Sequence, residues 1–185
     1  MSGAAEPQTK FHSLSRLFHW SVAGLILFQI PLAYQMIAMD IGPDKFQAYA
    51  LHKSLGMSVF MLSALRLAWR QLNPPPPLPS NLSPRERWLA HAAHIALYVV
   101  TLAMPLAGWC YSSASAFQVS YFGLFTLPDL VPADEGLAEV FEWVHRLLAY
   151  ALGGLLLLHV AAALQHHFMR RDNVLAAMLP FVKLR

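Results

Sequence analysis

The chain has 185 residues, 57% of them hydrophobic and 12% charged, with a mean hydropathy of +0.44. That excludes a disordered chain and an ordinary soluble domain, and predicts one polytopic membrane domain over residues 1–185. The net charge of +3 and the pI of 9.2 reflect basic residues gathered beside apolar runs, which is a topology signal and gives no ground for nucleic-acid binding.

In chain order, residues 1–16 read as a polar arm, with Ser13 or Ser15 as the cap of a first helix over about 17–38. This run is longer than the core of a signal peptide and is expected to stay as a helix, kinked at Pro31. Asp40 to Tyr49 reads as a short loop turning at Gly42-Pro43, followed by a second helix over about 51–70. The prolines at 74–77 and 79 make 73–84 a stiff, extended tether. Ser83-Pro84 opens a third helix over about 88–112. The loop at 111–142 is too aromatic for a disordered linker and is expected to cap one surface of the bundle. The fourth helix, about 143–168, is apolar between Leu147 and Leu164 except at Tyr150 and His159. Runs this long cross a ~30 Å hydrocarbon core as helices, so the fold class is an all-α, four-helix transmembrane bundle.

Lys10, Arg16, Arg66, Arg70, Arg85, Arg87, Arg170, Arg171, Lys183 and Arg185 fall on one side of such a bundle, and Lys45, Lys53 and Arg146 on the other. The excess places both termini in the cytoplasm. The other side also carries Asp40, Asp44, Asp129, Asp134, Glu135, Glu139 and Glu142.

The histidines give the bundle a chemistry. His145 and His159 lie fourteen positions apart on the fourth helix, within about 40° of one face and about 21 Å apart along the axis. Antiparallel helices set His52 at the depth of His145 and His19 at the depth of His159. Two imidazoles from two helices in each layer suit the axial positions of a haem, whereas zinc sites usually take three or four protein ligands. Gly56, Gly153 and Gly154 remove bulk where a flat ligand would approach. Cys110 is the sole cysteine and there is no Cys-x-x-Cys-His motif, so two haems would be held non-covalently, by the pairs His19–His159 and His52–His145. His91 and His94 lie close to the cytoplasmic layer, and His12 lies in the arm. His166 follows His159 by two turns and reads as an uncommitted proton donor for a bound quinone, with Arg16 and Arg170 as quinone or propionate contacts.

Arg16-Leu-Phe-His19-Trp20, Leu51-His52-Lys53-Ser-Leu-Gly56, Arg70-Gln-Leu-Asn-Pro-Pro-Pro, His91-Ala-Ala-His94, Met104-Pro105-Leu-Ala-Gly108, His145 with His159, and His166-His167 before Asp172-Asn173 resemble the bacterial cytochrome b561 family over about residues 10–180. The resemblance implies an inner-membrane di-haem electron carrier with His19, His52, His145 and His159 as ligands of two haem b groups. It also implies ubiquinone as a partner, with superoxide or a periplasmic electron-transfer protein as donor, as in a superoxide:ubiquinone oxidoreductase. The alternative it allows is a haem-bearing membrane anchor and electron conduit for a dehydrogenase, hydrogenase or periplasmic cytochrome. A haem-free channel or scaffold is a third class, which a colourless purified protein would support.

Overall fold

The computed structural model describes residues 10–80, 82–182 and 184. Lys183, Arg185 and residues 1–9 of the arm, which the sequence reading assigned to the cytoplasm, lie outside the described residues. Four long helices dominate: α1 (Ser13–Ala38), α2 (Pro43–Leu72), α3 (Pro84–Ala114) and α4 (Glu135–Gln165). A π-helical turn (His166–Arg170) extends α4, and a short α5 (Val174–Met178) follows.

Each helix begins where capping chemistry allows, and two begin about two turns ahead of their apolar runs. The α1 cap is His12, whose Nδ1 accepts from the Leu14 N–H at 3.2 Å, and neither expected serine takes that role. The Ser15 hydroxyl instead accepts from Trp69 Nε1 at 3.1 Å, and the His12 ring packs on Trp69, so His12 ties α1 to α2. The expected loop 40–49 shrinks to 39–42. Gly42-Pro43 starts α2 rather than turning a loop, because Pro43 is pre-set for a first helical turn and Asp44 suits the positive end of the helix. At α4, Asp134 accepts from the Leu137 N–H at 2.8 Å, with Glu135 in the first turn. Ser83 and Glu86 close a reciprocal capping box at α3, as Ser83-Pro84 led one to expect.

The segment between α3 and α4 contains a feature the all-α expectation omitted, a two-stranded hairpin. β1 (Ser120–Tyr121) pairs antiparallel with β2 (Phe125–Thr126). Leu124 N–H donates to Tyr121 O across a turn whose central residues, Phe122 (φ 50°) and Gly123 (φ 73°), both occupy the left-handed region. That matches the twist of paired strands, at a steric cost for Phe122. The hairpin sits against α2: Ser54 Oγ donates to Ser120 O and accepts from the Phe122 N–H, and Tyr121 shares a hydrogen bond with Ser58.

The helices neighbour one another in the order α1–α2–α3–α4. Val22, Ile26, Val59, Val100 and Leu152, drawn from all four, form a buried core, with Leu148, Leu155 and Leu156 packed against it. The C-terminal segment folds back under α1. Phe11 N–H donates to Ala177 O, Trp20 Nε1 to Met178 O at 2.9 Å, and Arg16 to the carbonyls of Leu179 and Pro180. Both described ends of the chain therefore meet at one end of the bundle, opposite the hairpin.

Outward faces are apolar. On α4, Leu147, Tyr150, Leu157 and Leu158 are all exposed, and Leu152 is its one buried residue. Such a surface is unstable in water and fits lipid. Three helical stretches, Ser13–Ala38, Pro84–Ala114 and Glu135–Arg170, are long and apolar enough to cross a membrane. α2 is as long but more polar, carrying Asp44, Lys45, Lys53, Arg66 and Arg70.

Candidate functional site

The sequence-predicted histidines meet in two layers on either side of the apolar core. At the end where the termini meet, His19 of α1 faces His159 of α4 with ring centroids 6.1 Å apart. At the hairpin end, His52 of α2 faces His145 of α4 at 6.3 Å. Leu152 lies midway between His145 and His159 in the α4 sequence, and its burial with Val22, Val59 and Val100 places a dry aliphatic layer between the two pairs.

In the hairpin-end layer, His145 Nδ1 lies 2.9 Å from Met104 O. A carbonyl only accepts, so Nδ1 carries the proton and Nε2 keeps the lone pair that a metal requires. Gly108 makes this approach possible. A Cβ built there would sit 3.0 Å from both Cε1 and Nδ1 of the ring. Gly56 has a different role from the one expected: its missing side chain makes room for Gln29, whose amide donates to His52 O at 3.1 Å. Gly153 and Gly154 do border open space. His19 Nδ1 and His52 Nδ1 are buried with no hydrogen-bond partner among the described residues.

A cavity of about 380 Å³ opens beside the other pair, bordered by His19, His159, His94 and Ser63. Arg66, Arg70 and Tyr98 line it as well, and the prolines 75–77 of the tether wall it. His94 of α3 brings its ring to 5.8 Å from His159, as close as His19. The sequence reading took Arg66 and Arg70 only as topology signals. Their spacing of one helical turn, opposite an aromatic residue on the next helix, was the available sign that both guanidiniums turn inward.

The three remaining predicted residues stand apart from this cavity. His166 pairs through Nδ1 with Asp172, so it is committed rather than free. Arg170 pairs with Glu86 of α3, and Arg16 holds the carbonyls of Leu179 and Pro180. These contacts clasp the C-terminal segment to α1 and α3. The cations at the hairpin end are equally engaged: Lys45 with Met39 O, Lys53 with Phe117 O and Gln118 O, and Arg146 with Glu142.

No three His, Cys, Asp or Glu side chains among the described residues converge as they would on a bare metal ion. The two layers instead offer facing imidazole pairs in an apolar bundle, and comparison with known proteins agrees with that chemistry. A family model described as prokaryotic cytochrome b561 matches residues 10–181. The chain is 33% identical over 172 residues to "Cytochrome b561 homolog 2" of Escherichia coli K12, covering 92% of this chain and 91% of that one. It is 29% identical over 174 residues to "Probable superoxide oxidase CybB" of Yersinia pestis, covering 92% and 96%. It is 30% identical over 181 residues to "Cytochrome b561 homolog 1" of Escherichia coli K12, covering 92% and 97%. Apolar helices, electron transport and b-type haem go together in such proteins. By the extent of these matches, this bacterial membrane protein belongs to the prokaryotic cytochrome b561 family.

Proposed function

We propose that the chain carries electrons across the bacterial inner membrane through two b haems, held by His19 with His159 and by His52 with His145. The facing imidazoles carry this reading. Taking the ~2.0–2.1 Å of a zinc–imidazole bond as the scale and a ring radius of about 1.1–1.2 Å, two rings on one metal have centroids about 6.2–6.6 Å apart. The separations of 6.1 and 6.3 Å agree to about 0.1 Å. The fixed tautomer of His145 fits the same assignment. A haem bound between two such histidines supplies a one-electron couple with no open coordination position for oxygen chemistry.

The protein's own groups do the rest. His145 is oriented by Met104 O, which also raises its basicity as a ligand. The aliphatic layer of Val22, Val59, Val100 and Leu152 excludes water between the pairs and keeps the local dielectric low. In this reading α2 is the fourth span, flanked by α1 and α3, and the Arg-rich end of the bundle is cytoplasmic. Ubiquinone is the membrane acceptor, as the family resemblance implies, and superoxide is the candidate donor at the hairpin end, following the name of the Yersinia pestis relative. At that end Asp40, Asp44, Asp129, Asp134, Glu135, Glu139 and Glu142 outnumber Lys45, Lys53 and Arg146, which is itself paired with Glu142, so there is little positive field to attract superoxide. That favours a second reading in which a partner protein delivers electrons there.

Two measurements test the proposal. A pyridine haemochrome assay is expected to give two non-covalent haems per chain, and one haem would overturn the two-layer assignment. Stopped-flow reduction with superoxide and with quinol as separate donors decides between the two readings. Reduction by neither would leave the partner-protein conduit.

A further inference from the structure

The cavity beside His19 and His159 is lined by cations and by no carboxylate among the described residues. Arg66 and Arg70 lie one helical turn apart on α2, and both guanidiniums stand over the Tyr98 ring, at 5.3 and 5.7 Å from its centroid. Neither has a hydrogen bond or an ion pair with any described residue. Three neighbouring arginines do have partners: Arg16 and Arg87 hold backbone carbonyls and Arg170 holds Glu86. Two like charges at this spacing repel, and turning them into an apolar cavity adds a desolvation cost. The buried Ser63 hydroxyl, 2% exposed, also lines the cavity and has no partner among the described residues. A ligand with two negative charges would complete such a set of donors.

We propose that Arg66 and Arg70 hold the two carboxylates of the haem bound between His19 and His159, the task first ascribed to Arg16 and Arg170. The inference rests on the di-haem reading and deepens it. Two bidentate forks on one helix face bind two carboxylates projecting from one edge of a flat ligand, while the imidazoles take its centre. Tyr98 keeps both planes in position by cation–π stacking. A diffusible phosphate or a lipid headgroup would meet the same donors, so the test must separate these sources.

The test compares native haem with its dimethyl ester, which lacks both charges, in full-length wild-type protein and in the Arg66→Gln and Arg70→Gln variants. The readout is the rate of haem transfer to excess apomyoglobin, resolved for the two haems by their spectra. With native haem, each variant is expected to lose one haem about 10- to 100-fold faster and to keep the other at the wild-type rate. With the diester, wild type and variants should lose that haem equally fast, and Arg66→Lys, which keeps the charge but not the planar fork, should recover only part of the native-haem retention. Equal acceleration for both haem forms would reduce the arginines to structural props and overturn the proposal. Unchanged haem retention, with loss of a preference for phosphatidylglycerol over phosphatidylcholine nanodiscs, would assign the cations to a lipid phosphate and overturn it equally. If the Gln variants do not fold, wild type alone decides, because one haem site must release the diester faster than native haem. A wild-type protein that binds no haem with His19 and His159 intact would refute the di-haem reading itself.

Discussion

Gly108→Ala is the sharpest perturbation available at the hairpin-end layer, because it adds one methyl group where the structure has least room. The new Cβ would lie 3.0 Å from Cε1 and Nδ1 of His145, against an ordinary carbon contact of about 3.5–4.0 Å. The ring must give way by a few tenths of an ångström, which stretches and weakens the 2.9 Å hydrogen bond to Met104 O. Overpacking of this kind costs about 1–3 kcal/mol, and the weakened hydrogen bond adds at most about 1 kcal/mol. The sum of roughly 1–4 kcal/mol falls on the geometry that presents Nε2, so the layer should hold its haem about 5- to 700-fold less tightly. Helix propensity acts in the opposite direction, since alanine is about 0.8–1 kcal/mol better than glycine inside a helix. The variant should therefore lose the His52–His145 haem without a matching loss of thermal stability. The assay is haemochrome stoichiometry with a redox titration of purified protein, and Gly24→Ala, whose Cβ meets nothing within 4 Å, is the control. A Gly108→Ala protein with two haems at unchanged potentials would refute the claim that Gly108 positions His145.

His159→Ala should remove the haem at the end where the termini meet and spare the other, and His52→Ala should do the reverse. Loss of the same haem in both, by redox-resolved spectra, would break the pairing. His94→Ala should leave both haems in place despite its 5.8 Å approach to His159, and loss of one would transfer the axial role from His19 to His94. His166→Phe in haem-replete protein should leave quinone-dependent reoxidation within a few-fold of wild type, because Asp172 holds the imidazole apart from the cavity. A slowing of about 10²-fold, as removal of a positioned proton donor gives, would return proton delivery from His91 and His94, which line the cavity, to His166.

The sequence was legible wherever one helix carried the whole signal. His145 and His159 could be placed on one face of α4 by counting residues, and antiparallel packing then fixed which partner each would meet. Hydropathy misjudged the helix ends because it marks the stretch that lipid can surround, whereas hydrogen-bonded helix runs on to its cap. Pro43 and Asp134 are the caps, and each lies in polar sequence beyond the apolar run. The hairpin escaped because strands of two residues have no periodicity to detect, and its stability comes from Ser54 and Ser58 on a distant helix.

The site residues whose contacts the sequence did not reveal share one physical cause, a partner remote in sequence or in turn geometry. Counting along an ideal helix put His166 near the His159 face, but left-handed backbone at Arg171 (φ 55°) returns the chain so that Asp172 meets its ring. Arg170 looked available for an anion because Glu86, which takes it, belongs to α3. Arg66 and Arg70 looked like interface anchors because a charge count carries no direction, and Tyr98 of α3 is what marks their side as the interior. Once Glu86 has claimed Arg170 and Asp172 has claimed the His166 imidazole, the cavity with His19 and His159 still holds Arg66 and Arg70 with no carboxylate in its lining among the described residues. Charge left without a protein partner in an apolar bundle is costly, and that cost is the reason to expect an acidic ligand there.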